Sequence, residues 1–440
     1  MSTVHSALID TVLIKLKPWQ HLKKWYIALS GGLDSSVLLH ILATHPQRND
    51  FPLIVAVHVN HNLQQVAQAW PVHCQLLCDQ YNIPLHIHSV KVPSEASLEN
   101  AARQARYELF DSLINKNEAV LSAHHSNDQF ETVLFRLLRG SGLHGLTGIP
   151  STRSLGRGMM LRPLLNISKV KLECYARRHN LLWVEDPSNQ DLTLSRNYLR
   201  HQIIPQLLER WPRAIETATR NVQHLIQASD LLDEIAQQDL LSAQENTCWS
   251  WLSIAHLSFK SLNRLTESRQ INVLRYWLRQ FTHMPDTAHW AGWTSLRNAE
   301  SSAMPVWSFS NGDVYRTAGY IWWVESCWGR NFKNNDFCLL VKGNQKIILP
   351  NNGVLEIKGI LPEGEWTVGY RREGEKIYQP SVGHKSVKKL LNERNVPVFL
   401  RSRLPMLRQN NQLRAIAGIH SFDRSTASEW SISWIPFDLR

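Results

Sequence analysis

Ile27-Ala28-Leu29-Ser30-Gly31-Gly32-Leu33-Asp34-Ser35-Ser36 is the stretch that decides how this chain folds. Trp25 to Leu29 is a continuous apolar run and predicts a buried strand. Gly31 and Gly32 permit a tight turn with close backbone approach. Apolar residues return at helical spacing from Ser35 to Leu42. Strand, glycine turn and helix in that order bring backbone N–H groups and the positive helix end to one point, a cradle for phosphate. The plainer alternative is an ordinary strand-to-helix turn. No Gly-x-x-x-x-Gly-Lys sequence occurs, which excludes a Walker loop.

Outward from this loop, residues 19–165 alternate apolar strands with amphipathic helices. Strands are expected at 25–29, 53–59, 84–90 and 119–123, and helices at 35–45, 65–82, 97–116 and 128–139. Continuous apolar strands suit a parallel sheet covered on both faces. Ligands of such sheets sit beyond the carboxyl ends of the strands, where this sequence places Ser30, Asn60-His61 and His124-His125. Residues 140–158 are rich in Gly, Ser and Thr and predict a mobile loop. Residues 2–17 and 168–182 predict further helices, and 213–240 one long helix. A helix at 267–281 and a tryptophan-rich hairpin around Ser310-Asn311-Gly312-Asp313 follow. The last block is β-rich with a short basic helix near 385–394.

A chain of 440 residues is too long for one core, so two to three domains are expected. With 19% charged residues it is not a disordered chain, and no apolar stretch is long enough to span a membrane. The amino-terminal apolar residues are interrupted by Asp10, which argues for a first helix rather than a targeting peptide. The six cysteines form no Cys-x-x-Cys pair, which suits a reducing cytoplasm. Cys74 and Cys78 stand one helical turn apart beside His73, as two buried helix thiols or as part of a metal site. The net charge of +11 favours a polyanionic partner. Most of it lies between Trp366 and Arg414, with 11 Lys and Arg against three acids: either a solvated face or a footprint for a phosphate backbone.

Ser-Gly-Gly-x-Asp-Ser at 30–35 resembles the PP-loop of enzymes that cleave ATP to AMP and pyrophosphate. Three further segments resemble the tRNA(Ile)-lysidine synthetase family. One is Ser122-Ala123-His124-His125-Ser126-Asn127-Asp128-Gln129-Phe130-Glu131-Thr132, running on through Arg136 to Gly142. Another is Arg162-Pro163-Leu164-Leu165 with Glu185-Asp186-Pro187-Ser188-Asn189 and Arg196-Asn197-x-x-Arg200. The third is Arg372-x-Gly374-Glu375, Lys388-Lys389-Leu390-Leu391, Pro397 and Arg401-x-x-Leu404-Pro405. The likeness covers nearly the whole chain and is weakest over 241–330. It implies an α/β fold: a parallel-sheet PP-loop domain of the adenine nucleotide alpha hydrolase type, a mixed α/β middle domain and a small, basic, β-rich carboxyl-terminal domain. The expected bounds are 1–215 for ATP binding and catalysis, 216–240 for a linker helix, 241–330 for a middle tRNA-contacting domain and 336–440 for tRNA binding. It also implies a cytoplasmic ligase using ATP, Mg²⁺ and free L-lysine to convert the wobble cytidine of tRNA(Ile) with a CAU anticodon into lysidine. That change moves decoding from AUG to AUA and identity from Met to Ile. No membrane partner is implied, and the sequence leaves a homodimer open.

Within that family pattern, Ser30, Gly31, Gly32, Leu33, Asp34, Ser35 and Ser36 are expected to bind ATP, with Asp34 either a Mg²⁺ ligand or a simple helix amino-terminal acid. Asp34, Asp128 and Glu131 are the expected catalytic residues. Asp128 and Glu131, three apart, share one helix face and could clamp a metal or take protons from lysine, whose amine has a usual pKa near 10.4. The plainer reading is an N-cap Asp with a first-turn Glu. Asn60, His61, His124 and His125 are weaker candidates for the adenosine side. Arg103, Arg106, Arg136, Arg139, Arg196 and Arg200, with Arg372, Lys388, Lys389 and Arg401 in the tail, are candidates for tRNA phosphates or are solvated faces. Asn60, Gln64, Asn127 and Lys169 depart from the family pattern, which more often has Asp, Arg, Asp and Arg there. The 140–158 loop could close over lysine or the cytidine. Trp290, Trp293, Trp322 and Trp323 could stack on RNA, although most tryptophans are expected in the core. A sulfur-transferring relative would need Cys-x-x-Cys pairs, and a small-molecule ligase would need no basic tail. A silent RNA-binding protein would not keep the loop, Asp128 and Glu131 together.

Overall fold

A computed structural model of the chain describes residues 2–61, 69–90, 98–245, 249, 252, 254–283, 288–300, 303–329, 337–379, 383–421 and 430–436. The chain divides into two compact units, Met1–Asp230 and Leu231–Arg440.

In the first unit, α1 (Ser2–Leu16) precedes β1 (Lys24–Ala28), α2 (Leu33–Thr44), β2 (Leu53–Asn60), α3 (Trp70–Gln80), β3 (Leu85–Ser89), α4 (Leu98–Leu113) and β4 (Glu118–Leu121). Then come α5 (Ser126–Leu138), α6 (Leu143–Leu146), β5 (Thr152–Leu155), β6 (Gly158–Leu161), α7 (Lys169–Arg178), α8 (Ser195–Tyr198), α9 (Ile204–Arg210) and the 30-residue α10 (Ala214–Ala243), which crosses the boundary between units. The strand and helix alternation expected over 19–165 is therefore present, with the ends of the expected elements shifted by a few residues. Gln64, and the first residues of the helix expected at 65–82, lie outside the described residues.

The sheet runs β3-β2-β1-β4-β6-β5, all parallel except the edge strand β5. Trp25, Ile27 and Leu29 are buried, as are Val37 to Leu39 on α2, because β1 lies between β2 and β4 with helices on the sheet faces. Chain order reverses between β1 and β4: β2 and β3 lie on one side of β1, while β4 opens the other. Such a switch point leaves a crevice outside the carboxyl ends of the two strands. The register pairs Ile27 with Leu121, so the loops after β1 and β4 emerge side by side.

The segment expected as a mobile loop is built differently. Residues 152–161 form the β5–β6 hairpin, and residues before it are tied down. Arg136 Nη1 donates to the carbonyls of Gly145 and Gly148, both at 2.7 Å. Gln129 exchanges two hydrogen bonds with Ile149, at 3.1 and 2.5 Å. Gly148 has φ +69°, and a Cβ there would meet the Gln129 amide at 2.5 Å, so this glycine permits the tie. At Gly145, Gly148, Gly156 and Gly158 the glycines serve close packing, whereas Gly140 and Gly142 have open space around them.

The second unit contains a four-stranded antiparallel sheet (His256–Ser258, Tyr320–Glu325, Gly312–Thr317, Val306–Ser308) against helices Glu267–Leu278 and Ala291–Asn298. Val306–Ser308 and Gly312–Thr317 make the expected hairpin. A five-stranded and a three-stranded antiparallel sheet follow, with helix Val387–Glu393. The block 241–330 and the block from 336 share a core: Trp322, Val324 and Trp328 join one cluster with Leu355, Phe399 and Leu400. Trp290, Trp293, Trp322 and Trp323 are all buried, which makes them core rather than RNA platforms.

Candidate functional site

The glycine loop sits at the β1 end of the crevice. Gly31 has φ +83°, and a Cβ on it would press on Val184 Cγ2 at 3.1 Å and Cys74 Sγ at 3.2 Å. Its carbonyl accepts from Val184 N at 3.0 Å, so the 183–186 segment docks on the loop. Ser30 and Ser35 hydroxyls are linked at 3.1 Å, and Ser35 Oγ donates to Gly32 O. No side chain caps α2 at Gly32, so its amino-terminal N–H groups are left for an anion. Ser36 Oγ and Asp34 Oδ1 are buried with no hydrogen-bond partner among the described residues. Such orphaned oxygens mark places where a ligand belongs.

The β4 end supplies the carboxylates. His125, not Asp128, is the N-cap of α5: its Nδ1 accepts from the N–H groups of Asn127 and Asp128, and its own N–H donates to Asp128 Oδ2 at 2.9 Å. Asp128 thus closes a capping box with one oxygen. Its other oxygen faces Arg200 Nη2 at 3.4 Å. With Nδ1 accepting, the His125 proton sits on Nε2, 3.5 Å from Asp34 Oδ2. Burial opposes charge on this ring, but the bond to Asp34 and the charges of Asp128, Asp34 and Glu131 outweigh it and hold its pKa above the ordinary value.

Glu131 is buried and held by Arg200 through two bonds, Nε to Oε1 at 2.6 Å and Nη2 to Oε2 at 2.8 Å. Arg200 comes from a π-helical turn, Leu199–Ile203, between α8 and α9. Such turns re-aim side chains and recur at functional sites. The sequence motif marked Arg200 as a phosphate contact; the structure places it 69 residues along the chain from its partner, inside the acid cluster. Nothing in sequence spacing signals that pairing.

Together Asp34, His125, Asp128, Glu131 and Arg200 line one cleft of about 770 Å³ with the loop, and Trp70 and Trp183 add aromatic walls. Among the described residues no group of three or more His, Cys, Asp or Glu side chains could hold a metal by itself. At Asp128 and Glu131 three of the four carboxylate oxygens already accept hydrogen bonds at 2.9 Å or less, from His125 N and from Arg200. Asp34 Oδ1 still fits a hard cation shared with phosphate oxygens, because Mg²⁺ is commonly held by one or two carboxylates plus substrate.

The other candidates are distributed around this cleft. Asn60 ends β2 and His61 follows it. Burial, with Arg106 and His58 nearby, pushes His61 down to about 4, and burial pushes His124 down to about 4 with Arg162, Arg103 and Arg106 assisting. Both rings are neutral at pH 7. His124 Nδ1 shares a hydrogen bond with Ser122 Oγ at 2.7 Å. Asn127 Oδ1 accepts from Lys169 N at 3.1 Å and so tethers α7 to α5, a use for the amide at that position. Arg139 and Arg196 flank the Phe135 ring at 4.1 and 5.9 Å, and Arg103 lies over Tyr107 at 5.3 Å. Arg136 is spent on the loop described above. Both Cys74 and Cys78 are buried on their helix, and burial pushes their thiols up to about 12, the setting expected of two buried helix thiols.

In the tail, Lys388 and Lys389 are exposed on helix Val387–Glu393. Arg372 bonds Asn411, and Arg401 is tied to Val396 O and Asn392 Oδ1. Two of the eleven basic residues counted there are interior. Arg408 is 1% exposed against Glu375, and Arg403 is 2% exposed, donating to the carbonyls of Asn351 and Trp328. Among the described residues no helix is long and apolar enough to cross a membrane.

Residues 6–207 match the family model of a PP-loop domain, 257–322 that of a TilS substrate binding domain, and 366–434 that of a TilS substrate C-terminal domain. A tRNA(Ile)-lysidine synthase of Pseudomonas fluorescens is 44% identical over 98% of this chain and 97% of its own length. One of Coxiella burnetii is 36% identical over 89% of this chain and 88% of its own. Among solved structures, the U34-tRNA thiolase NcsA of Methanococcus maripaludis aligns with a TM-score of 0.44 at 16% identity, over 52% of this chain and 81% of that one.

Proposed function

The chain belongs to the tRNA(Ile)-lysidine synthase family, and from that premise we propose how its own residues divide the reaction. The enzyme is a ligase that forms a carbon–nitrogen bond in an ATP-dependent modification of the tRNA wobble base. The observation that carries the division of labour is the shared cleft: a phosphate loop on one strand end, and two carboxylates with an arginine on the next.

The N–H groups from Gly31 to Ser36 hold the β- and γ-phosphates of ATP. Asp34, through its unpartnered Oδ1, would hold a Mg²⁺ that would supply charge to offset that growing on the departing pyrophosphate. His125 keeps Asp34 in place through Nε2. The C2 oxygen of the wobble cytidine bonds to the α-phosphorus, and the bond from that phosphorus to pyrophosphate breaks. The lysine ε-amine then bonds to C2, AMP leaves with the oxygen, and the amine loses its proton. Asp128 is the acceptor for that proton, because its Oδ1 has only the long 3.4 Å contact to Arg200, whereas both Glu131 oxygens are engaged. Free lysine carries both an ammonium and a carboxylate. Arg200 and Glu131 match these charges, so lysine enters by exchanging partners with an existing pair rather than by stripping a charge bare. Residues 1–215 carry this chemistry. Residues 216–240 lead away from it, and 241–330 and 336–440 hold the tRNA, with Lys388, Lys389, Arg103, Arg139 and Arg196 on its phosphates.

Incubation with ATP, Mg²⁺, labelled lysine and a tRNA(Ile) transcript with a CAU anticodon tests the reading. Label entering tRNA only when ATP is present supports it. Unlabelled tRNA, from protein that binds ATP, overturns it.

A further inference from the structure

Phe130 is shared by two cavities: the cleft above, and a second groove of about 660 Å³ whose walls are mostly apolar. Leu207, Arg210, Trp211, Pro212 and Arg213 line this groove where α9 turns into α10. Trp211 is the only tryptophan with an exposed side chain among the described residues, at 59%. Its position is fixed. Its N–H donates to Leu207 O at 2.7 Å, its carbonyl accepts from Ala214 N at 2.9 Å, and Pro212 follows it. Burying an indole is among the larger apolar gains open to a side chain, and most of this chain's described tryptophans take it. Here a rigid elbow presents the ring to solvent instead. Arg210 and Arg213 are exposed beside it, and neither guanidinium forms an ion pair or hydrogen bond among the described residues.

An exposed aromatic face with free guanidinium groups on both sides in sequence suits single-stranded nucleic acid: the base stacks and the phosphates pair. We propose that this groove seats an unpaired base of the anticodon loop that neighbours the wobble cytidine, stacked on Trp211, with its phosphates on Arg210 and Arg213. The proposal rests on the reading of the adjoining cleft as the cytidine site. Phe130 lines both cavities, so the groove adjoins the cleft, and a loop base next to the cytidine would sit in it while the cytidine sits by Asp34 and Asp128. Unpaired loop bases expose their faces without the energy of opening a duplex. Anchoring a neighbour would fix the cytidine's position, as a two-point hold does for any reacting group.

The test uses the full chain and the same transcript, with binding measured at several salt concentrations. Trp211→Ala should weaken tRNA binding by about five- to a hundred-fold with the salt slope unchanged, because a stack and not a phosphate contact is lost. Trp211→Phe should retain most of the affinity. Arg213→Ala should make the salt slope shallower by about one. The KM for ATP should stay the same in all three. Wild-type affinity in Trp211→Ala overturns the proposal, and so does Trp211→Phe as weak as Trp211→Ala. A Trp211→Ala protein that binds tRNA normally but sediments as a smaller species marks the groove as a contact between copies and overturns it too. Binding needs no chemistry. A wild-type protein that binds tRNA and transfers no lysine therefore overturns the reading of the cleft, while the stack is judged by the Ala and Phe variants.

Discussion

Two arginine–glutamate pairs, one in each unit, have nearly the same geometry and opposite surroundings. Arg200 meets Glu131 at 2.6 and 2.8 Å; Arg408 meets Glu375 at 2.7 and 2.9 Å. The Arg408 side chain is 1% exposed, and its Nη2 also bonds the Tyr370 carbonyl, so the pair is sealed into the interior. The Arg200 side chain is 34% exposed, lines a cleft and adds a long contact to Asp128. Nearby, Asp34 Oδ1 has no partner among the described residues. A charged pair in the interior whose carboxylate oxygens are both held and which lines no cleft is a strut. The same pair on the wall of a cavity, next to unsatisfied oxygens, is a place for a charged ligand. Local pair geometry does not distinguish the two; the satisfaction of the neighbours does.

The largest expected effect breaks the comparison at the cleft. Glu131→Gln should lower the single-turnover rate of lysidine formation by about 10²- to 10⁴-fold, the range for removing an acid–base or substrate-orienting group. Its fold should survive, because the Arg200 left behind can hydrate. Next comes the strut. Arg408→Ala leaves Glu375 charged and interior, and should cost about 3–5 kcal/mol of stability in denaturant titrations. Its rate per folded molecule should be unchanged.

The neutral histidines give a smaller effect with a definite sign. His61 and His124 are held down to about 4 in the folded state, against an ordinary 6.5. The folded protein therefore prefers them unprotonated. That stability is complete above pH 6.5 and is lost as pH falls from 6.5 toward 4. His125 runs the other way: its raised pKa contributes below 6.5, and the contribution fades as pH rises. The denaturation midpoint should fall on acidification across 6.5 to 4, and His124→Gln should flatten that fall. The smallest effect belongs to the exposed tail. Lys388→Ala and Lys389→Ala should each reduce the slope of log affinity for tRNA against log salt by about 0.9 without moving the denaturation midpoint.

Much of this was legible before any coordinates. The parallel sheet follows from continuous apolar strands, and the Ser30–Ser36 loop and the Asp128/Glu131 pair lie where strand ends place them, although the strand order does not follow from the sequence. What escaped is what only tertiary contact creates. Arg200 looked like a phosphate ligand because its partner Glu131 is distant in sequence. Glycines at 145 and 148 looked like mobility because the Arg136 and Gln129 ties to that segment are invisible in spacing. Arg403 and Arg408 were counted with the tail's basic face because charge counts ignore burial. Trp211 cannot be told apart in sequence, because exposure, not identity, separates it from the tryptophans of the core.

The most direct test replaces both members of each pair by apolar residues, which removes the charge without leaving a buried partner. Arg408→Met with Glu375→Leu, and Arg200→Met with Glu131→Leu, should both fold, since such exchanges are often neutral for stability. Single-turnover lysine transfer to the CAU transcript is then measured at matched folded concentration. The predicted result is a near wild-type rate for the tail double variant and no detectable lysidine from the cleft double variant. Lysidine formed at the wild-type rate by the Arg200→Met, Glu131→Leu protein would contradict the assignment of the cleft.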